Sequence, residues 1–139
     1  MNARPQAPAL EFEALCTAIR QACPQALGIW LFGSFANGHA NAQSDVDLAL
    51  LLPGKADPVE LWNLAQQLAV LIDRDVDLLD LRAASTVIQY QVVTTGRLLW
   101  AADAQADLYT SFILSSKTAL DEARAGLMDD IQRRGHVHG

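Results

Sequence analysis

Two apolar runs separated by a short polar segment constrain this chain more than any other feature. Leu27-Gly28-Ile29-Trp30-Leu31-Phe32 ends at Gly33-Ser34; ten residues later Asp45-Val46-Asp47 opens a second run, Leu48-Ala49-Leu50-Leu51-Leu52, which Pro53-Gly54 stops. Apolar runs of this length, bounded by turn residues, read as buried strands. Successive strand side chains point to opposite faces, so Asp45 and Asp47 share one face, roughly 7 Å apart along the strand. Val46 and Leu48 fix the other face as core.

Helices and strands alternate through the rest of the chain. Ala9 to Cys23 places Phe12, Leu15, Cys16, Ile19 and Cys23 at helical spacing, and Pro24 closes the segment. A short helix is expected to begin at Ser34. Asp57-Pro58 supplies an N-cap and an N1 proline for a helix carrying Leu61, Leu64, Ala65, Leu68, Leu71 and Ile72 on one side, with Trp62 extending that face or at its edge. Asp75-Val76-Asp77-Leu78-Leu79-Asp80-Leu81 reads as a third strand with an acidic alternation. A helix from Ser85 to Thr94 runs to Gly96, and a short strand, Arg97 to Trp100, follows. Ala104 to Arg134 reads as one long helix or two shorter ones, with Ile113, Leu120, Leu127 and Ile131 on one face. Gly126 weakens that segment by about 1 kcal/mol relative to Ala. The order predicts an α/β domain: a small mixed sheet flanked by helices, with C-terminal helices. Residues 9–134 are expected to form one domain, with 1–8 and 135–139 as flexible tails; no internal repeat divides them.

Composition excludes several function classes. A chain of 139 residues with 51% apolar content can bury a real core. Its net charge of −6 argues against general affinity for nucleic-acid backbone. Cys16 and Cys23, seven residues apart on one helical face, read as packed thiols and form no metal-ligand pattern. His136 and His138 lie in the terminal tail and are not taken as a metal site. No apolar run approaches a membrane span and no signal-peptide pattern opens the chain, so the expected compartment is the cytoplasm.

Chemistry concentrates at the Gly-Ser turn and the acidic strands. Glycine at a strand end lets the backbone turn tightly and approach a phosphate, and serine at a helix start offers a hydroxyl and backbone N–H groups. Two buried carboxylates side by side would repel and take up protons, whereas Mg²⁺ lets both stay ionised. Holding two ions needs a third carboxylate, and Asp77 supplies it from within an apolar strand. Asp75 shares its face but lies nearer the strand's start; Asp80 has the opposite parity and reads as a strand-end or capping residue. Two metals held by shared carboxylates activate an attacking oxygen and neutralise a leaving pyrophosphate.

Gly33-Ser34-x10-Asp45-Val46-Asp47 followed by Asp77 resembles the polymerase-β-type nucleotidyltransferase superfamily in its minimal, single-domain form. The string Ser44-Asp45-Val46-Asp47-Leu48, with Val76-Asp77-Leu78 and Gly96-Arg97-Leu98-Leu99, is similar to the antitoxins of the HEPN/MNT toxin–antitoxin family, a type VII-like pair. That resemblance implies transfer of AMP from ATP, with Mg²⁺, onto a tyrosine of a cognate HEPN ribonuclease toxin, which silences it. It implies that Asp45 and Asp47 bind the metals and the ATP phosphates. By the same resemblance Asp77 binds the metal that activates the acceptor hydroxyl and serves as its base, and Gly33 and Ser34 hold the β- and γ-phosphates. One departure is Asn37, where many relatives carry an arginine. Two alternatives stand beside this reading: a non-catalytic antitoxin that neutralises its partner by contact, and nucleotidyl transfer to a small hydroxylated molecule. Acidity and the lack of nucleic-acid-binding domains disfavour a polymerase.

Overall fold

The computed structural model describes residues 12–41 and 43–135. Four strands form one sheet: β1 (Gly28–Phe32), β2 (Val46–Leu51), β3 (Val76–Asp80) and β4 (Arg97–Ala101), in the order β3-β2-β1-β4. β1 pairs antiparallel with β2 and β4, and β2 pairs parallel with β3. The sheet is therefore mixed, as expected. The parallel pair requires a crossover, and α2 (Pro58–Ile72) supplies it.

Helices cover both faces. On one, α1 (Phe12–Ala22) and α2 place Leu15, Ile19, Leu64 and Leu68 against Leu31, Val46, Leu48 and Leu50. On the other, α3 (Thr86–Thr95) and α4 (Gln105–Gly135) bring Val92 and Ala106 onto Trp30, Ala49 and Leu51. β2 is thus buried on both faces over most of its length, which explains why its sequence reads as a continuous apolar run. Within the strand only Asp47 is incompletely buried, and Asp45, just ahead of it, is exposed.

Local chemistry explains the helix limits. Asp57 accepts a hydrogen bond from the Val59 N–H at 2.9 Å and Pro58 takes N1, as the sequence predicts. Ser85 caps α3 through the Ile88 N–H at 3.2 Å, and α3 ends at Gly96. The Asp103 carboxylate accepts from the Gln105 N–H at 2.9 Å where α4 begins. The C-terminal segment is one helix.

Three expectations need correction. No α-helix begins at Ser34: residues Gly33–Phe35 form a single 3₁₀ turn, its N-cap Phe32 offering no side-chain acceptor. On α2, Leu64, Ala65 and Leu68 are buried and Leu61 and Ile72 pack partly against the same core, but Leu71 is exposed, and so is Trp62, which does not extend that face. On α4, Ile113 is buried but Leu120 is exposed; the side chains of Leu127 and Ile131 lie outside those described. Residues 1–11 and 136–139, with His136 and His138 and most of the proposed tails, also lie outside the described residues. Among the described residues no helix is long and apolar enough to cross a membrane.

Candidate active site

The site is built where the C-terminal end of β1 meets the N-terminal ends of β2 and β3. Asp47 stands opposite Phe32 in the antiparallel ladder and opposite Asp77 in the parallel one. Adjacent strands lie about 4.8 Å apart, and register partners project to the same face, so Asp47 and Asp77 are immediate neighbours. Asp45, two residues before Asp47 and just ahead of β2, shares that side. Asp75 precedes β3, and its carbonyl accepts the Val46 N–H at 2.9 Å, so its backbone sets the register that aligns Asp47 with Asp77. Asp80 is not part of the cluster. It is buried, and its carboxylate accepts from the Ala56 N–H at 2.8 Å and the Arg82 N–H at 3.1 Å, capping the next turn.

Gly33 closes the site from the β1 side. Its φ of +74° belongs to the left-handed region, and a Cβ built there would run into the Asp47 Oδ2. Only glycine lets the backbone lie against that carboxylate. The 3₁₀ turn then carries Ser34 beside the cluster; its carbonyl accepts the His39 N–H at 3.0 Å, and the Gly33 carbonyl accepts the Ala36 N–H at 3.1 Å. A turn of three residues has no appreciable macrodipole, so what this turn can offer a ligand is the glycine backbone and the serine hydroxyl rather than a helix end. Asn37 is exposed on the connector that follows.

Among the described residues, no cationic side chain is ion-paired to the carboxylates at this corner. Asp47 is half-buried, and burial, then Asp77 and Asp45, push its carboxyl up to about 6. Among the described residues the sole ion pair is Lys117–Asp121, on α4. Nor are three His, Cys, Asp or Glu side chains gathered closely enough, among the described residues, to hold an ion unaided. Oxygen-only ligands with an excess of negative charge fit Mg²⁺. That ion characteristically takes one or two carboxylates and completes its octahedron with water and substrate phosphate oxygens. A cleft of about 430 Å³ lined by Gln43, Asp45, Arg74 and Asp75 opens beside the cluster. Another, of about 540 Å³ and lined by Cys23, Lys55 and Glu60, lies at the far end of β2 and shares no residue with it.

The sequence pattern did not single out Arg74. Its Nη1 donates to the Ser44 carbonyl at 2.8 Å and the Asn41 carbonyl at 3.0 Å, and its guanidinium lies 5.2 Å from the Phe35 ring centroid. The only local signal is a cation immediately ahead of Asp75-Val76-Asp77, and its partners are main-chain groups that no motif encodes.

Comparison with known proteins places this geometry in context. A family model described as polymerase beta nucleotidyltransferase matches residues 16–105. Over 113 residues the chain is 40% identical to the protein adenylyltransferase MntA of Shewanella oneidensis, spanning 81% of each chain. Among solved structures, a toxin–antitoxin complex with AMP-PNP matches with a TM-score of 0.78 at 37% identity, covering 88% of this chain and 99% of that one. A tri-AMPylated Shewanella oneidensis HEPN toxin in complex with MNT antitoxin matches with a TM-score of 0.70 at 36% identity, covering 86% of this chain and 94% of that one.

Proposed function

The chain belongs to the polymerase beta nucleotidyltransferase family, and on that premise we propose that it is an antitoxin that transfers AMP from ATP to a tyrosine of a cognate HEPN ribonuclease toxin. The observation that carries this reading is the register pairing of Asp47 with Asp77 beside Gly33. A scaffold acting by contact alone has no use for two like charges on neighbouring strands, nor for a left-handed glycine pressed against one of them.

In the reaction the tyrosine hydroxyl oxygen attacks the α-phosphorus of ATP. A new P–O bond forms, the bond between the α-phosphorus and the bridging oxygen breaks, and pyrophosphate leaves with its electron pair. Asp77, exposed at the rim, accepts the hydroxyl proton. Asp45, Asp47 and Asp77 would hold Mg²⁺, which when bound supplies charge neutralisation for the phosphates and the departing pyrophosphate. The Gly33 backbone and the Ser34 hydroxyl orient the β- and γ-phosphates. Orientation and electrostatics then supply most of the rate enhancement.

A macromolecular acceptor suits the surface better than a small one. Val87, Ile88, Leu108 and Phe112 on the α3–α4 pair are exposed apolar side chains of the kind protein partners cover. The tri-AMPylated toxin of the related complex supports repeated transfer to one partner. The reading is tested by incubating the chain and its genomic-neighbour toxin with ATP and Mg²⁺ and weighing the toxin. Mass gains in steps of one AMP, lost when Asp45 and Asp47 are both changed to Asn, are expected. A toxin of unchanged mass would refute it.

A further inference from the structure

Arg74 sits where three parts of the chain meet. It follows Asp73, whose left-handed conformation (φ 51°, ψ 49°) ends α2, and its N–H closes on the Ala69 carbonyl at 3.1 Å. That tight turn delivers the side chain to the connector between the Gly33–Phe35 turn and β2. Phe35, on which the guanidinium stacks, directly follows Ser34; Ser44, whose carbonyl it binds, directly precedes Asp45. One side chain therefore grips the connector at both ends.

The connector's own bonds are local. The Asn41 N–H donates to the Ser44 hydroxyl at 2.9 Å, the Gln43 N–H to the Asn41 side-chain oxygen at 2.8 Å, and the Ser44 N–H to the Asn41 carbonyl at 3.2 Å. They shape the turn but do not fasten it to the domain. Arg74 does, through two carbonyls that accept from its Nη1 and an aromatic face beneath its planar guanidinium. Nor is Arg74 in an ion pair with Asp45, Asp75 or Asp77. Its charge is directed to carbonyl oxygens, so the carboxylates keep their own charge for a cation.

We propose that Arg74 is a positioning residue, a latch that holds Ser34 and Asp45 at the spacing the nucleotide requires without touching it. This rests on the adenylyl-transfer reading above. Small misplacements of such groups cost rate and affinity out of proportion to their effect on folding.

The test compares wild type, Arg74→Ala and Arg74→Lys in AMP transfer to the toxin, with amide hydrogen exchange and thermal melts in parallel. For Arg74→Ala, kcat/KM for ATP should fall about tenfold or more, through a higher KM and a lower kcat together. Exchange should quicken across residues 36–45 but not in β1 or β3, and the melting temperature should stay within a few degrees of wild type. Arg74→Lys, which keeps the charge but loses the fork and the stack, should fall between the two. Wild-type kinetics in Arg74→Ala, or unchanged exchange in residues 36–45, would overturn the latch while leaving the transfer reading intact. An inactive wild type would overturn both.

Discussion

Asp47 and Asp77 are register partners in the parallel β2–β3 ladder, so two carboxylates face the same side of the sheet at neighbouring-strand distance with no cationic side chain paired to either among the described residues. Like charges placed opposite one another destabilise a sheet. A fold that retains them carries a cost that a bound cation relieves.

That cost has a pH signature. The Asp47 carboxyl is raised from 3.8 to about 6, first by burial and then by Asp77 and Asp45. Between those values the folded protein holds a proton that the unfolded chain has released. The stabilising contribution is therefore fully present below about pH 4 and is lost as pH rises through about 6. The whole shift corresponds to about 3 kcal/mol, and solvent screening of a half-buried group reduces it to about 1 kcal/mol. Metal-free Asp47→Asn should accordingly melt higher than metal-free wild type at pH 7.5, and the two should converge near pH 4. Mg²⁺ with ATP should raise the melting temperature of wild type and not of the variant.

Gly33 and Gly38 separate backbone strain from contact. Both have positive φ, +74° and +79°, but a Cβ at Gly33 meets the Asp47 carboxylate whereas one at Gly38 meets nothing within 4 Å. Gly38→Ala should cost about 1 kcal/mol and leave transfer within a fewfold of wild type. Gly33→Ala should cost more, about 2–3 kcal/mol, and eliminate transfer, because relief requires Asp47 to move. Denaturant titrations and transfer rates on the pair check this; equal behaviour of the two variants would count against the Gly33–Asp47 contact.

Asp77 and Asp80 lie on one strand with opposite parity and should respond oppositely. Asp80→Ala removes the acceptor for the Ala56 and Arg82 N–H groups in a buried setting and should destabilise by about 2–3 kcal/mol with little change in kcat. Asp77→Ala, at an exposed position, should leave stability nearly unchanged while lowering kcat at least about a hundredfold. Urea titration and single-turnover kinetics distinguish the two.

How much of this was legible beforehand differs by element. Strand parity alone placed Asp45 and Asp47 on one face and excluded Asp80, because period-two alternation is rigid once neighbouring positions are core. The Asp57 cap was legible because it acts on an amide two residues on; Ser85 was read only as the start of α3, which its side chain in fact caps. A short helix after Gly33 was legible as an element, but not that it is a single 3₁₀ turn beginning at Gly33 itself, since the segment carries no periodic apolar stripe. Leu71 was misplaced and Trp62 left open because α2 is apolar around most of its circumference, so periodicity could not say where the packed face ends. Arg74 was invisible, since its partners are backbone carbonyls 30 and 33 positions earlier in the chain.

The central claim is that silencing is covalent and catalytic, and turnover against an excess of toxin tests it most directly. One equivalent of this protein is added to about twenty of the toxin with ATP and Mg²⁺, then removed, and ribonuclease activity and toxin mass are read together. Near-complete, lasting inactivation with AMP-sized mass steps is the expected result, abolished in Asp45→Asn/Asp47→Asn. Protection that requires equimolar protein, ignores ATP, survives in the double variant and leaves the toxin's mass unchanged would contradict it.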